Sequence, residues 1–358
     1  NLRVPGPTPL PPEVREAAAA DMIDHRGPEF KELLGAVTAD LQHILQTKNE
    51  VLILTGSGTG GLEAAIVNLI SPGDRVVAVS VGAFGERFAE IARAFGAEVT
   101  AVAAPWGQAA DPDALTEALE RVSDVRLVLV THNETSTGVT NDLQALARVV
   151  RSREDGGPLL VVDAISSAGA VPLLTDGWGC DLVVAGSQKG WMAPPGLAML
   201  SISDRAWAAI ERATCPRYYW DLRAARHYAR RGQTPWTPAV GVLYGLRVAL
   251  RMMRTEGLEA IYARHRRVAQ RLREGAQALG LELFADPAHA SDTVTTLRVP
   301  PGLDADTLVA RVREHGSVIA GGQRQLKGQV VRVGHLGYVD VGDIEQVLRA
   351  LALALGRG

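Results

Sequence analysis

Short apolar runs alternate with amphipathic segments through most of the chain. The runs predict strands at 51–55, 75–81, 125–131, 159–164, 181–186 and 197–203. Between them, the segments 85–96, 112–122 and 141–155 repeat apolar residues at helical spacing. Apolar strands separated by helices are typical of a mostly parallel sheet with helices on both faces. We therefore expect an α/β fold whose ligand lies at the carboxyl ends of the strands.

The pattern changes after Glu256. A long amphipathic segment, 257–280, leads to predicted strands at 294–299, 317–322 and 329–339, with predicted helices at 304–316 and 342–355. This arrangement indicates a second, smaller α/β domain. We expect three parts, namely a proline-rich N-terminal arm over 1–20, a large domain over 21–255 and a small C-terminal domain over 256–358.

Composition excludes several classes of protein. A chain of 358 residues with 47% hydrophobic residues can bury a large core. Its formal net charge of −3 gives no basic field for nucleic acid or a membrane surface, and no apolar stretch is long enough to cross a bilayer. The first residues lack the pattern of a signal peptide. Cys180 and Cys215 match no disulfide or metal spacing, so we expect a cytoplasmic protein without a metal site.

A glycine-rich loop, GSGTGG (56–61), follows the first predicted strand and precedes a helix. It fits the G-x-G-x-x-G pattern of dinucleotide sites, in which backbone N–H groups bind phosphate at a helix N-terminus. Such sites also need an acid at the end of the second strand, but that strand ends near Ser80, and Asp74 precedes it. A single phosphate is therefore favoured, while a turn needed only for packing stays open. The phosphate ligands would be Ser57, Gly58 and Thr59.

Two charged residues follow other apolar runs. Asp163 ends LLVVDA, and Lys189 follows DLVVAG in the stretch AGSQKGWMAPPG. Alone, the acid is explained by a helix cap and the lysine by an exposed loop. Together with a phosphate loop at the same sheet edge, they match the needs of pyridoxal phosphate, which requires a lysine, a phosphate site and an acid beside its ring nitrogen.

The order of the motifs resembles the class V aminotransferases of the fold-type I pyridoxal-phosphate superfamily, in the alanine–glyoxylate, serine–glyoxylate and serine–pyruvate branch. The resemblance covers essentially the whole chain. Its matching stretches are VPGPTPLPPEV, SGTGGLEAAIVNLI, ETSTGV, VDAISSAG, AGSQKGWMAPPG, TPAV and VRVGHLGYV. It implies a large domain with a mostly parallel sheet flanked by helices, a smaller C-terminal α/β domain, and a homodimer.

The resemblance also implies catalytic roles. Lys189 would carry the cofactor covalently and later move the proton between the substrate and the cofactor. Asp163 would pair with the pyridine nitrogen and make the ring an electron sink. The residues implied to hold the phosphate are Ser57, Gly58, Thr59 and Gln188.

Four further positions receive roles from the resemblance. Phe84 would stack on the cofactor ring, in a place where relatives often have tryptophan. Ser136 would lie near the cofactor's hydroxyl, and Thr237 would reach the phosphate of the partner subunit across the dimer interface. Gly6, in the N-terminal arm, would line the substrate pocket.

Arg332 lies within an alternating apolar strand pattern, between Val331 and Val333. An arginine there suits an edge strand or a side chain that reaches to solvent. Its planar fork also suits a substrate carboxylate, gripped by two parallel hydrogen bonds. With Lys189 and Asp163 in place, we favour the carboxylate clamp.

Other polar positions are less determined. His335 near Arg332 would line the pocket or pack within a loop, and no role is assigned to His132 or Tyr338. The basic segment 223–231 is interpreted as a solvated, mobile face, with a place at the mouth of the site as the alternative.

The expected activity is ping-pong transfer of an amino group from alanine or serine to glyoxylate or pyruvate. A lyase or desulfurase on the same fold stays open, although the small domain contains no cysteine for a desulfurase. A nicotinamide-dependent dehydrogenase would leave Lys189 unexplained. A catalytically silent subunit would have no need to keep Lys189, Asp163 and Arg332 together.

Overall fold

A computed structural model describes residues 1–153 and 156–357. Within these ranges the helices are α1 Pro12–Ala18, α2 Pro28–Ile44, α3 Gly58–Leu69, α4 Ala83–Ala94, α5 Pro112–Arg121, α6 Leu143–Arg151, α7 Asp204–Ile210, α8 Leu222–Ala229, α9 Val240–Glu256, α10 Leu258–Ala278, α11 Ala305–Glu314 and α12 Val341–Ala354. No helix in the described part of the chain is long and apolar enough to span a membrane. The predicted helix 141–155 is α6, and its predicted positions 154 and 155 lie outside the described residues, as does position 358.

A seven-stranded sheet forms the centre of the described structure. Its strands are β1 Glu50–Thr55, β2 Arg75–Ser80, β3 Glu98–Ala103, β4 Val125–Thr131, β7 Leu159–Asp163, β8 Leu182–Gly186 and β9 Leu197–Ile202. Between β4 and β7 the chain forms a separate short hairpin of β5 Asn133–Glu134 and β6 Val139–Thr140. The seven strands of the sheet lie in the order β1-β9-β8-β7-β4-β2-β3, and β9 runs antiparallel to both of its neighbours while the other pairs are parallel. The predicted α/β fold with a mostly parallel sheet is therefore confirmed.

Side chains of this sheet alternate between two apolar layers. On β2, Val77 and Val79 pack in the layer that contains α2, α5, α6 and α9. Val76 and Ala78 pack in the opposite layer, with α3, α4, α7 and α8. Because both faces are covered, the central strands are continuous apolar runs, which is why the sequence predicted them.

The sequence analysis missed β3. This strand pairs with β2 alone and lies at the sheet edge, where its residues are exposed or only partly buried. An edge strand whose residues are only partly covered does not need a long apolar run, so its sequence, EVTAVA, gives a weak signal.

Helices cover a second sheet in the C-terminal part, as predicted. Its strands are β10 Val294–Arg298, β11 Ala320–Gly321 and β12 Val330–Gly334, in the antiparallel order β10-β12-β11. The predicted strands 317–322 and 329–339 were too long. Val318 forms an isolated bridge with Leu2 instead, and the chain turns at Gly337, where φ is 75°.

The N-terminal arm connects the two sheets. The backbone N–H of Arg3 donates to the carbonyl of Val318 (2.7 Å), and its carbonyl accepts from the N–H of Gly334 at the end of β12 (2.7 Å). The Arg3 side chain forms an ion pair with Asp343 (3.0 Å). Thr8 then donates its backbone N–H to the carbonyl of Gln188 (3.1 Å). The arm thus runs from the small sheet to the loop that carries Lys189. The division into domains at residue 255 stays a prediction.

Candidate active site

Lys189 lies in the loop that follows β8. Its side chain is partly buried, and its Nζ donates a short hydrogen bond to the backbone carbonyl of Pro5 in the arm. Burial lowers the pKa of Lys189 to about 8, while the charge of Asp163 opposes this shift. At pH 7 the lysine is still mostly protonated, but its neutral, nucleophilic fraction is far larger than that of an exposed lysine.

Asp163 is the last residue of β7, beside β8 in the sheet. Only 4% of it is exposed, and the N–H of Ile165 donates to its Oδ1 (3.0 Å). Burial raises the pKa of Asp163 to about 7, against the opposing effects of that N–H and of Lys189. A buried carboxylate with one hydrogen bond can accept a further, cationic partner.

The start of α3 provides donors for an anion. Ser57 is the N-cap of α3, and its hydroxyl accepts from the N–H of Gly60 (3.2 Å). A Cβ on Gly58 would lie 2.6 Å from Cδ1 of Ile165, so this close approach needs a glycine. Beside this helix N-terminus, the buried Oε1 of Gln188 has no hydrogen-bond partner within the described residues. The helix N-terminus and an unsatisfied amide thus face the same space.

These groups meet in one cavity of about 140 Å³. The sequence-predicted residues that line it are Ser57, Gly58, Thr59, Phe84, Asp163, Gln188 and Lys189. Several larger depressions lie elsewhere on the surface, among them two of about 380 and 1000 Å³. Neither contains Lys189 or Asp163, so chemistry rather than size identifies the site.

The cavity also contains residues that the sequence analysis missed. Arg87 lines it, one helical turn after Phe84 on α4, with its guanidinium carbon 4.7 Å from the centre of the Phe84 ring. In the described part of the chain Arg87 forms no close ion pair and no hydrogen bond, although its charge acts on Asp163 and Glu90. The signal in the sequence that could have identified Arg87 is its position one helical turn after Phe84. Asn133 lines the cavity too, but its amide is occupied by Ser166 (2.8 Å) and by Thr293 (2.9 Å).

Thr135, rather than Ser136, lines this cavity. The hydroxyl of Ser136 donates to Glu134 (2.6 Å) and accepts from the N–H of Ala83 (2.9 Å), so it is engaged behind the cavity wall. The predicted turn therefore reaches the cavity through Thr135, and the role expected of Ser136 stays a prediction.

Arg332 lies on β12 and is 6% exposed. Its Nε donates to the carbonyl of Gly321 (2.8 Å) and its Nη1 to the carbonyl of Thr135 (3.2 Å). Its Nη2 has no hydrogen-bond acceptor in the described ranges. Burial lowers the pKa of Arg332 to about 10, and the charge of Glu134 opposes this shift. The guanidinium is therefore buried, oriented and only partly satisfied.

Three predicted site residues, Arg332, Gly6 and Thr237, lie outside the cavity lining. Gly6 packs against Lys189, because a Cβ on Gly6 would lie 2.5 Å from Nζ. Thr237 is exposed in the loop before α9. It does not contact the α3 N-terminus of its own chain in any described interaction.

The remaining polar candidates are structural. His335 is fully buried, with Nε2 2.9 Å from the hydroxyl of Thr295, and burial lowers the pKa of His335 to about 3. The basic segment 223–231 forms most of α8, where Arg226 pairs with Glu50 and lies over Trp207. That segment is therefore an ordered helix, not a mobile face.

Neither His132 nor Tyr338 belongs to the cavity. His132 is buried against Trp178, and Tyr338 is 45% exposed beside the larger depression. Within the described residues, no three His, Cys, Asp or Glu side chains are grouped to hold a metal ion.

Comparison with known proteins identifies the family. The model of the family "Aminotransferase class-V" matches residues 8–347. The chain is 41% identical over 340 residues to the L-aspartate–glyoxylate aminotransferase of Paracoccus denitrificans, covering 93% of this chain and 85% of that relative. It is also 44% identical over 357 residues to a Synechococcus protein named "Soluble hydrogenase, small subunit", covering 99% and 92%.

Solved structures agree with the family model. The alanine–glyoxylate aminotransferase of Nostoc sp. has a TM-score of 0.94 and 32% identity, covering 99% of this chain and 94% of that one. The pyridoxamine–pyruvate aminotransferase of Mesorhizobium loti has a TM-score of 0.94 and 31% identity, covering 100% and 93%. The fold is therefore that of the pyridoxal-phosphate-dependent aminotransferases. The chain belongs to the class V aminotransferase family, and it is a transaminase.

Proposed function

We propose that this enzyme binds pyridoxal 5'-phosphate in the 140 Å³ cavity and moves the amino group of alanine or serine to glyoxylate or pyruvate by a ping-pong mechanism. The observation that carries the proposal is the meeting of Lys189, Asp163 and the α3 N-terminus around one cavity. An amine with a lowered pKa, a buried carboxylate and an anion-binding helix N-terminus are the three groups that this cofactor requires.

The residues present fit the cofactor. Ser57, Gly58 and Thr59 offer a helix N-terminus to the phosphate, and Gln188 offers an otherwise unsatisfied amide. Phe84 offers an aromatic face on the cavity wall. We assign the contact near the cofactor's hydroxyl to Thr135, because Ser136 is engaged elsewhere.

When bound, pyridoxal phosphate supplies an electron-withdrawing ring that stabilises negative charge at the substrate's α-carbon. Asp163 would hold the proton on the ring nitrogen, since its only described hydrogen bond comes from Ile165. Lys189 would bond covalently through Nζ and, once released, take the α-proton as general base. Arg332 would fix the substrate carboxylate with the donors that Gly321 and Thr135 leave free.

The named relatives support the class of substrate but differ in the donor. Their names specify L-aspartate with glyoxylate, serine with glyoxylate, and pyridoxamine with pyruvate. L-Aspartate is therefore a second candidate donor, and the unpaired guanidinium of Arg87 in the cavity favours it. The hydrogenase name of one relative has no matching feature in this site.

Single-turnover assays test the proposed reaction. The protein loaded with cofactor is mixed with L-alanine, L-serine or L-aspartate in the absence of a keto acid. We expect one equivalent of keto acid per site and loss of the yellow colour, which returns when glyoxylate or pyruvate is added. Repeated release of product without an acceptor would indicate a lyase. No product from any of the three donors would contradict the substrate assignment.

We further propose a homodimer in which Thr237 completes the phosphate site of the partner. Thr237 is exposed beside a surface group of aromatic residues, Tyr218, Tyr219 and Trp236, of which Tyr218 is 78% exposed. Such a patch favours contact with another protein surface.

A subunit-mixing experiment tests this arrangement. Lys189→Ala and Thr237→Ala chains are each expected to have little activity. In a hybrid dimer, one site combines an intact Lys189 with an intact Thr237 from the other chain, so mixing should restore activity. If mixed chains show only the sum of their separate activities, Thr237 does not act across the interface.

A further inference from the structure

The buried carboxylate of Glu134 has an unusually complete set of donors. Glu134 ends β5 (Asn133–Glu134), the first strand of a short hairpin with β6 (Val139–Thr140). Its Oε2 accepts from the N–H groups of Phe84 (2.9 Å) and Gly85 (3.0 Å). Its Oε1 accepts from the N–H (3.0 Å) and the hydroxyl (2.6 Å) of Ser136.

These bonds replace a cap that α4 does not provide for itself. Gly82, the N-cap of α4, has no side chain, and Ser136 accepts from the N–H of Ala83. The first N–H groups of α4 are thus bound by Glu134 and Ser136, at the positive end of the helix. A Cβ on Gly82 would lie 2.5 Å from Cγ of Glu134, so the close approach depends on that glycine. The position of Phe84, the second residue of α4, follows from these contacts.

The same turn also holds Arg332. Thr135, the residue after Glu134, accepts a hydrogen bond from Nη1 of Arg332 through its carbonyl (3.2 Å). The charge of Glu134 also attracts the guanidinium. The turn therefore holds the backbone N–H of Phe84 on one side and the partly satisfied guanidinium of Arg332 on the other.

We propose that Glu134 is a positioning residue that fixes Phe84 and Arg332 relative to each other. The proposed ring contact on the cavity wall and the proposed carboxylate clamp just outside that wall are then held as one unit. This inference rests on the proposed function, because it takes Phe84 as the ring contact and Arg332 as the carboxylate clamp.

Other contacts would keep α4 folded without Glu134. Arg324 forms ion pairs of 2.7 Å with both Glu86 and Glu90 on the outer side of this helix. Removing the Glu134 carboxylate is therefore expected to shift the start of α4 rather than to unfold it.

Glu134→Gln tests the inference because it replaces one acceptor oxygen by an NH₂ group that faces N–H donors. We expect pyridoxal phosphate to bind at least tenfold more weakly. Quenching of tryptophan fluorescence on titration with the cofactor measures this affinity. We also expect the KM for the amino donor to rise at least tenfold, and this factor should exceed the factor by which kcat falls. Asp142→Ala is the matched control, since Asp142 caps α6 through the N–H of Ala145 (2.9 Å) away from the cavity. The control should lower the melting temperature and leave both constants within twofold.

A cofactor-free crystal structure of Glu134→Gln separates this inference from the proposed function. Displacement of both the Phe84 ring and the Arg332 guanidinium would support it, even if the wild type binds no pyridoxal phosphate. Unchanged positions, or binding and KM within twofold of the wild type, would overturn it. If Glu134→Gln does not fold, Ser136→Ala removes one donor to Glu134 and the contact to Ala83. A roughly threefold loss in cofactor affinity and a roughly threefold rise in KM are then expected, and no change would overturn the inference.

Discussion

The Nζ atom of Lys189 donates a hydrogen bond to the backbone carbonyl of Pro5, near the beginning of the chain. The same arm is fixed to the small sheet by Arg3, through Val318 and Gly334. The amine in the cavity is therefore linked, through the three arm residues Arg3, Val4 and Pro5, to the strand that carries Arg332. Before Lys189 bonds to another group, its Nζ has to leave the Pro5 carbonyl.

Gly6→Ala should displace Lys189. The new Cβ would lie 2.5 Å from Nζ and 2.7 Å from Cε, and φ at this position is +134°, a conformation that L-residues rarely adopt. We expect kcat/KM to fall more than tenfold and the free energy of unfolding to fall by about 1–3 kcal/mol. Steady-state kinetics and urea unfolding measure the two effects.

Gly196→Ala is the matched control for this strain. Its φ is +137°, but its Cβ would make an ordinary contact of 3.4 Å with Val242. It should lose similar stability and keep most of its activity. Equal losses of activity in both variants would show that Gly6 acts through backbone strain and not through Lys189.

The pH dependence of cofactor binding should report the lysine. Only a neutral amine attacks an aldehyde, and burial lowers the pKa of Lys189 to about 8. The rate at which pyridoxal phosphate reacts with the cofactor-free protein should therefore rise with pH around a midpoint near 8, measured by stopped-flow absorbance. Asp163→Asn should lower this midpoint, because the charge of Asp163 stabilises the ammonium form. A midpoint near 10.5, as for an exposed lysine, would be inconsistent with the buried amine.

Arg332→Lys should weaken substrate binding specifically. An ammonium group cannot grip a carboxylate with two parallel bonds, and the lysine would lose the contacts to Gly321 and Thr135. We expect the KM for the amino donor to rise roughly thirtyfold, about 2 kcal/mol, with cofactor affinity unchanged within twofold.

Arg298→Lys serves as its control, because Arg298 lies on the neighbouring strand β10 but is exposed. Its kinetic constants should stay within twofold of the wild type. A KM for Arg332→Lys that matches the wild type would show that Arg332 does not bind the substrate carboxylate.

Buried histidines should make the protein sensitive to acid. Burial lowers the pKa of His265 to about 4, and its ring contacts the carbonyl of Ile261 (2.8 Å) and the N–H of Gly337 (3.0 Å). In the unfolded chain histidine takes a proton near pH 6.5, so the folded state loses stability as pH falls from 6.5 towards 4. The slope is at most about 1.4 kcal/mol per pH unit for this group.

Urea unfolding at pH 7 and pH 5 measures this effect. His265→Asn should lose less stability between the two pH values than the wild type does. His315→Asn, at an exposed histidine, should leave the difference unchanged. An unaltered pH dependence in His265→Asn would contradict the assignment.

The sequence predicted those parts of the molecule that depend on local pattern. Continuous apolar runs identify strands covered on both faces. Asp163, at the end of β7, and Lys189, in the loop after β8, could therefore be placed together at the carboxyl ends of the strands. The edge strand β3 gave no such signal, because its partly exposed residues need no apolar run.

Tertiary contacts account for the residues that the sequence analysis missed. Glu134 is interpretable as a solvated loop residue until the four donors from Phe84, Gly85 and Ser136 are known. The choice between Thr135 and Ser136 depends on the direction of each side chain in a tight turn, which no spacing rule provides.

The most direct test of the account is covalent labelling at Lys189. The purified protein is supplied with pyridoxal phosphate and reduced with borohydride, and its peptides are analysed by mass spectrometry. The other lysines, Lys31, Lys48 and Lys327, are exposed and serve as internal controls. We expect one phosphopyridoxyl group per chain, on the peptide that contains Lys189. An unlabelled Lys189, or labelling spread over the exposed lysines, would contradict the claim that this lysine carries the cofactor.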